Sequence, residues 1–223
     1  TIYVFCYGKE YHDAAQQTDY FDIVITDVSK TYSLKMLSDA VKNQADIRLH
    51  SWESTYRTDS LTGLLNHAAF RNDTEMKLLE GSSNAMMIMM DVDHFKQFND
   101  TYGHQKGDEY LILIAQNLQS SLRGDDYACR MGGDEFAAML FFNKSVSEDV
   151  MKERARQIFD KVNLVVKTTA GGTSVSMGAV IAHSMMAFHQ LYNEADAALY
   201  KAKNGGRDRI VIEDAEGSGE KEA

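Results

Sequence analysis

Proline is absent from the 223 residues of the chain, so its turns depend on glycine, asparagine and aspartate. Cysteine is nearly absent. Cys6 and Cys129 lie far apart, with neither a disulfide framework nor metal-ligand spacing, and a reducing, cytoplasmic setting is expected. No run approaches the ~20 apolar residues that a membrane helix needs, and the start of the chain lacks a signal-peptide pattern. Membrane attachment is expected only through a segment upstream of Thr1, where the chain opens on a strand-like run. Cationic side chains are in deficit, with 23 Lys and Arg against 33 Asp and Glu, a net charge of −10. Binding to nucleic acid needs a basic face, so no nucleic-acid partner is expected. A nucleotide substrate stays open, because metal ions and a few local cations can neutralise phosphates. Five acids and one lysine fall in Glu213–Ala223, and residues 214–223 read as an acidic, disordered tail.

What is present is ordinary for a soluble globular protein: 44% hydrophobic and 25% charged residues. Three segments follow one another. Residues 1–29 hold two strand-like runs, Ile2–Tyr7 and Tyr20–Thr26, too little for a domain. Strand, Asp27-Val28-Ser29, then helix resembles the end of a PAS-like sensor domain; an unrelated hairpin or a receiver-like remnant fits equally well. Residues 30–57 form a signalling helix with Leu34, Leu37, Val41, Ala45 and Ile47 on a stripe. It either pairs as a short coiled coil or packs on its own domain. Residues 58–213 alternate helices and strands around one hairpin, which predicts an α/β domain with a central mixed β-sheet flanked by helices. The predicted elements are helices over 67–80, 110–122, 148–162 and 188–203 and strands over 85–90, 127–130, 136–142, 174–181 and 209–212. The four methionines of Ala85–Met90 read as core filling in a buried strand.

Two clusters carry chemistry. Asp91-Val92-Asp93 ends that buried strand, where α/β sheets place ligands, and carboxylates there suit a hard cation such as Mg²⁺. Lys96 follows within one turn and can meet a phosphate. Gly132-Gly133-Asp134-Glu135-Phe136 permits a tight hairpin and a close ligand approach, and one of its acids can complete a metal site with Asp91. Taken alone, either cluster also reads as surface acids on a turn.

Gly132-Gly133-Asp134-Glu135-Phe136 spells the name of the GGDEF family, and the resemblance extends well beyond it. Asp91 to Asp108 matches the family's D-x-D-x-F-K-x-x-N-D-x-x-G-H-x-x-G-D pattern at all ten fixed positions. At about 5% usage per residue type, chance produces that roughly once in 10¹³ trials. Leu61–Asn66 matches the opening motif and Ala195–Arg207 the closing one, so the resemblance covers about 155 residues from Asp59 to Glu213. It implies a nucleotidyl-cyclase, polymerase-palm-like fold and a diguanylate cyclase, which condenses two GTP into the bacterial second messenger cyclic di-GMP in signal transduction. By this resemblance Asp91, Asp134 and the carbonyl of Val92 hold Mg²⁺ or Mn²⁺, with Glu135 beside the metal. Asn99 and Asp108 read guanine, Lys96 steadies phosphate charge, and His104 lies near the nucleotide. Lys203 and Arg207, expected one helical turn apart, reach the terminal phosphates. Asp134 and Glu135, with Lys96, make up the catalytic set. The reaction needs two GTP-loaded copies, hence a homodimer.

Arg123-Gly124-Asp125-Asp126 matches the family's inhibitory product site, with Arg123 and Asp126 as its recognition pair and Arg154 or Arg156 as a completing arginine. His67 stands where the family more often has arginine and Asp208 where it often has asparagine. The alternative function is a silent GGDEF domain serving as a receptor for cyclic di-GMP or GTP; the presence of Asp91, Asp134 and Glu135 argues against it.

Overall fold

The structure, a computed structural model, describes residues 4–13, 18–27, 57–81, 83–169, 173–183 and 186–215. The chain divides into two compact units, Thr1–Ser54 and Thr55–Ala223. In the first, β1 (Val4–Asp13) and β2 (Thr18–Asp27) form an antiparallel hairpin, in register from Val4↔Asp27 to Asp13↔Thr18. β1 runs beyond the expected Ile2–Tyr7 through Lys9, Glu10 and His12. Its ladder is made by backbone groups, which polar side chains do not interrupt. The helix expected over 30–57 lies, up to residue 56, outside the described residues, as does the tail beyond 215.

The second unit opens with β3 (Leu65–Asn66), α1 (His67–Leu79), β4 (Ser83–Val92), α2 (Phe95–Tyr102) and α3 (His104–Gln119). It continues with β5 (Tyr127–Gly132), β6 (Glu135–Asn143), α4 (Glu148–Thr168), β7 (Val175–Ala182), α5 (Phe188–Asn204) and β8 (Ile210–Asp214). The six strands form one mixed sheet in the order β3-β5-β6-β4-β7-β8. β3 and β8 join in parallel at the two edges, and the interior pairs are antiparallel.

β4 is the spine of the sheet, and its methionines show why. Met86, Ile88, Met90 and Val92 face one core with α3 and α4, whereas Ala85, Met87 and Met89 face the other with α1 and α5. A strand covered on both faces needs an unbroken apolar run, and each methionine buried this deeply contributes on the order of 2 kcal/mol. α5 lies so close to β7 that a Cβ on Gly178 would stand 2.1 Å from the Leu199 nitrogen and 2.5 Å from the Ala195 carbonyl oxygen.

α2 was not among the expected helices. It is eight residues long and starts after His94, whose left-handed backbone (φ 59°) gives no side-chain cap. Phe95, Phe98 and Tyr102 nevertheless stand at helical spacing, and Phe98 stacks on Tyr110 with ring centroids 4.6 Å apart. Gly103 (φ 85°) breaks α2 from α3, which starts six residues before the expected Tyr110.

Candidate active site

The site is built where β4 ends against the β5–β6 hairpin. Gly132 pairs with Glu135, so Gly133 and Asp134 form a two-residue loop, and Gly133 takes the positive φ (53°) that such a loop demands of its first residue. Asp91 stands opposite Glu135 in the ladder, and the Val92 N–H donates to the Asp134 carbonyl at 3.3 Å. Three carboxylates thereby converge at one strand end.

The hairpin is held from behind by an arginine that the sequence reading did not single out. Arg130 donates from Nε and Nη2 to the Gly133 carbonyl at 2.9 and 2.7 Å, and from Nη1 to Asp59 Oδ1 at 3.2 Å. Asp59 also accepts from the Thr62 backbone N–H (2.9 Å) and hydroxyl (2.7 Å). Burial alone would raise the Asp59 carboxyl, but these bonds and the guanidinium hold it below the usual carboxylate range. The Asp59–Asn66 loop thus serves as a brace for the hairpin, and Asn66 caps α1 by accepting from the Ala69 N–H at 2.9 Å.

Burial pushes the Asp91 carboxyl up to about 6; Lys203 opposes the rise, and the charges of Asp134 and Glu135 add to it. The ammonium of Lys203, in the last turn of α5, lies 2.8 Å from Asp91 Oδ2. Arg207 is not one helical turn beyond it. α5 ends at Asn204, and Arg207 sits in the following turn at φ 62° with its Nε 3.9 Å from Asp93 Oδ1. Both cations still converge on the carboxylates of the β4 end.

Asp93 is a structural node, 1% exposed. Its oxygens accept from Ser174 Oγ (2.6 Å), Ser176 Oγ (2.7 Å) and the Asp208 N–H (3.1 Å). It ties β4, β7 and the turn after α5 into one body.

On the far side of the strand end, Asn99 lies on α2. Its Oδ1 is buried without a hydrogen-bond partner, and it packs against Gly107 so tightly that a Cβ there would approach to 1.9 Å. Lys96, His104 and Asp108 stand exposed on α2 and α3.

Arg123 and Arg154 line a second cavity of about 360 Å³ together with Phe142, Val146, Asp149 and Glu153. Arg154 donates from Nη2 to the Ser121 carbonyl, and its buried Nε has no partner. Arg156 instead faces Glu153 at 3.9 Å. Both Asp126 oxygens are taken by backbone N–H groups, of Arg123 (2.9 Å) and Phe141 (3.2 Å). Glu148, His183 and Asp214 gather at the opposite end of β7, where Lys152 already pairs with Glu148 and Asp214.

Known proteins are similar to this chain in sequence and in fold. The family profile described as diguanylate cyclase, GGDEF domain, matches residues 56–209. The chain belongs to the GGDEF family. Its GGDEF domain is similar to the diguanylate cyclase VdcA of Vibrio cholerae, 38% identical over 158 residues, covering 69% of this chain and 46% of that one. It is also similar to the probable diguanylate cyclase DgcT of Escherichia coli, 31% identical over 167 residues, covering 70% of this chain and 35% of that one. The chain therefore spans between a third and a half of these curated relatives. Among solved structures, the coiled coil and GGDEF domain of DgcB from Caulobacter crescentus in complex with c-di-GMP superposes with a TM-score of 0.72 at 27% identity, over 82% of this chain and 98% of that one. Pseudomonas aeruginosa SiaD, solved with its activator SiaC, matches with a TM-score of 0.59 at 30% identity, over 83% and 72% of the two chains.

Proposed function

We propose that the GGDEF domain is a diguanylate cyclase that joins two GTP molecules into cyclic di-GMP and releases two pyrophosphates. The observation that carries this reading is the set of three carboxylates, Asp91, Asp134 and Glu135, at the end of a buried strand, with Lys203 against Asp91 and Arg207 against the adjacent Asp93. A carboxylate raised to about 6 among other acids is what a divalent cation would relieve, and the donors are hard oxygens. Asp91, Asp134 and the Val92 carbonyl are the residues that would hold Mg²⁺ or Mn²⁺. Such an ion lowers the pKa of a bound hydroxyl and neutralises phosphate charge.

The protein's own groups supply the rest. Lys203 leaves Asp91 for phosphate, and Arg207 joins it. The unpartnered Asn99 Oδ1 accepts from guanine, and Asp108 accepts from its N1–H and 2-amino groups. In each of two steps the 3′-hydroxyl of one GTP attacks the α-phosphorus of the other. The α–β phosphoanhydride breaks, pyrophosphate departs, and the hydroxyl proton passes to Asp134 directly or through water. One protomer holds only one GTP, so the active species is a homodimer.

In this reading the β1–β2 hairpin ends a sensor domain and residues 30–57 set the geometry of the pair. The match to a coiled coil joined to a GGDEF domain, over 82% of this chain, supports that role. Product inhibition acts at the Arg123 cavity with Arg154, not Arg156, as the completing arginine, because Arg154 lines it. The test is incubation of the purified chain with GTP and Mg²⁺, followed by chromatography for cyclic di-GMP and pyrophosphate, with Asp134→Ala as control. Product that vanishes in the control is expected. Tight cyclic di-GMP binding without turnover, even when dimerisation is forced, would instead make the domain a receptor.

A further inference from the structure

The turn that carries Arg207 is more constrained than ending a helix requires. Gly205 and Gly206 already close α5, donating to the Lys201 carbonyl at 2.8 Å and the Lys203 carbonyl at 3.4 Å, and Gly206 takes a positive φ of 115°. Yet two further residues, Arg207 (φ 62°) and Asp208 (φ 53°), are also left-handed. A non-glycine residue in that region is disfavoured, arginine more so than aspartate, and such conformations persist only where surrounding contacts over-determine them.

The Arg207 N–H donates to the Ala202 carbonyl at 3.1 Å and its carbonyl accepts from Arg209 Nε at 3.0 Å, and Asp208 supplies the remaining contacts. Its N–H donates to the buried Asp93 at 3.1 Å. Its Oδ1 accepts from Asn163 Nδ2 at 2.8 Å, and its Oδ2 lies 2.6 Å from Lys167 Nζ. Asn163 is in turn anchored, accepting the Val175 N–H at 3.1 Å. Arg207 makes no comparable side-chain anchor: it is half exposed, 3.9 Å from Asp93. We infer that Asp208, held by Asn163 of α4 and by Asp93, is a positioning residue that aims Arg207 at the nucleotide phosphates. This rests on the proposed reading of Arg207 as a phosphate-facing residue.

The test is calorimetric binding of GTP and GMP to the full chain in the presence of Mg²⁺, with thermal melts alongside. Asp208→Ala should weaken GTP about tenfold and leave GMP within twofold, and turnover should show a raised KM with a smaller fall in kcat. Asp208→Asn should recover most of the loss, since asparagine tolerates positive φ and keeps an acceptor for Asn163, while the exposed Lys167 pair matters little. Asn163→Ala should resemble Asp208→Ala. Once Arg207 is alanine, adding Asp208→Ala should cost GTP binding nothing further. Lower melting temperatures with an unchanged GTP-to-GMP affinity ratio would overturn the inference and leave Asp208 a structural residue. A wild-type chain that binds GTP no better than GMP would instead remove the reading of Arg207, and the inference with it.

Discussion

Lys203 reaches back from the last turn of α5 to within 2.8 Å of Asp91, so a largely enclosed carboxylate of the site is paired by a residue of the same chain. Asp91 nevertheless stays raised to about 6, because burial and two neighbouring acids outweigh one ammonium. A carboxyl whose folded pKa lies above its ordinary value of 3.8 binds more protons folded than unfolded between those values, so its contribution to stability is lost as pH rises from about 4 to 6.

Asp91→Asn should therefore melt higher than the wild type at pH 7 without added metal, and the difference should shrink toward pH 4. Cyclic di-GMP synthesis by the same variant should fall by about two to three orders of magnitude. Thermal melts across pH together with a turnover assay check both. Equal melting temperatures above pH 6 would contradict the account of Asp91.

Gly107→Ala puts a methyl group 1.9 Å from Asn99 Oδ1, so Asn99 has to move. KM for GTP should rise about tenfold or more, as it should in Asn99→Ala. Stability should change little, because alanine in a helix gains up to ~1 kcal/mol over glycine, which offsets the displacement. Steady-state kinetics and a denaturant titration separate the two effects.

Arg130→Ala frees the Gly133 carbonyl and leaves Asp59 without its guanidinium. The expected loss is about 1–3 kcal/mol in unfolding free energy, with a fall in kcat beyond what stability explains, since the Asp134 loop is no longer braced. Arg130→Lys should rescue only part of it, because one ammonium cannot fork onto both partners.

The two halves of the proposed inhibitory pair should behave differently. Arg154→Ala or Arg123→Ala should abolish inhibition by added cyclic di-GMP while initial turnover persists. Asp126→Ala should lower stability by about 1–3 kcal/mol, because the Arg123 and Phe141 N–H groups lose their acceptor. Progress curves with added product and thermal melts decide it.

Sequence order was informative where one local rule sufficed. The apolar run of β4 needs burial on both faces, and the paired glycines need a hairpin, so both could be read directly. Arg130 could not be, because its partner Asp59 is 71 residues away. The left-handed Arg207 was concealed for a related reason: a lysine and an arginine four apart read as one helix face, and only the glycines between them say otherwise. α2 was the avoidable omission, since Phe95, Phe98 and Tyr102 announce a short helix once the missing cap is set aside.

The sheet ends in a two-residue strand on one side and in β8, closing with Glu213-Asp214, on the other. Short or acid-bearing borders give a second copy little backbone to zip onto. In the proposed homodimer the two domains therefore have no long free edge through which to fuse into one continuous sheet.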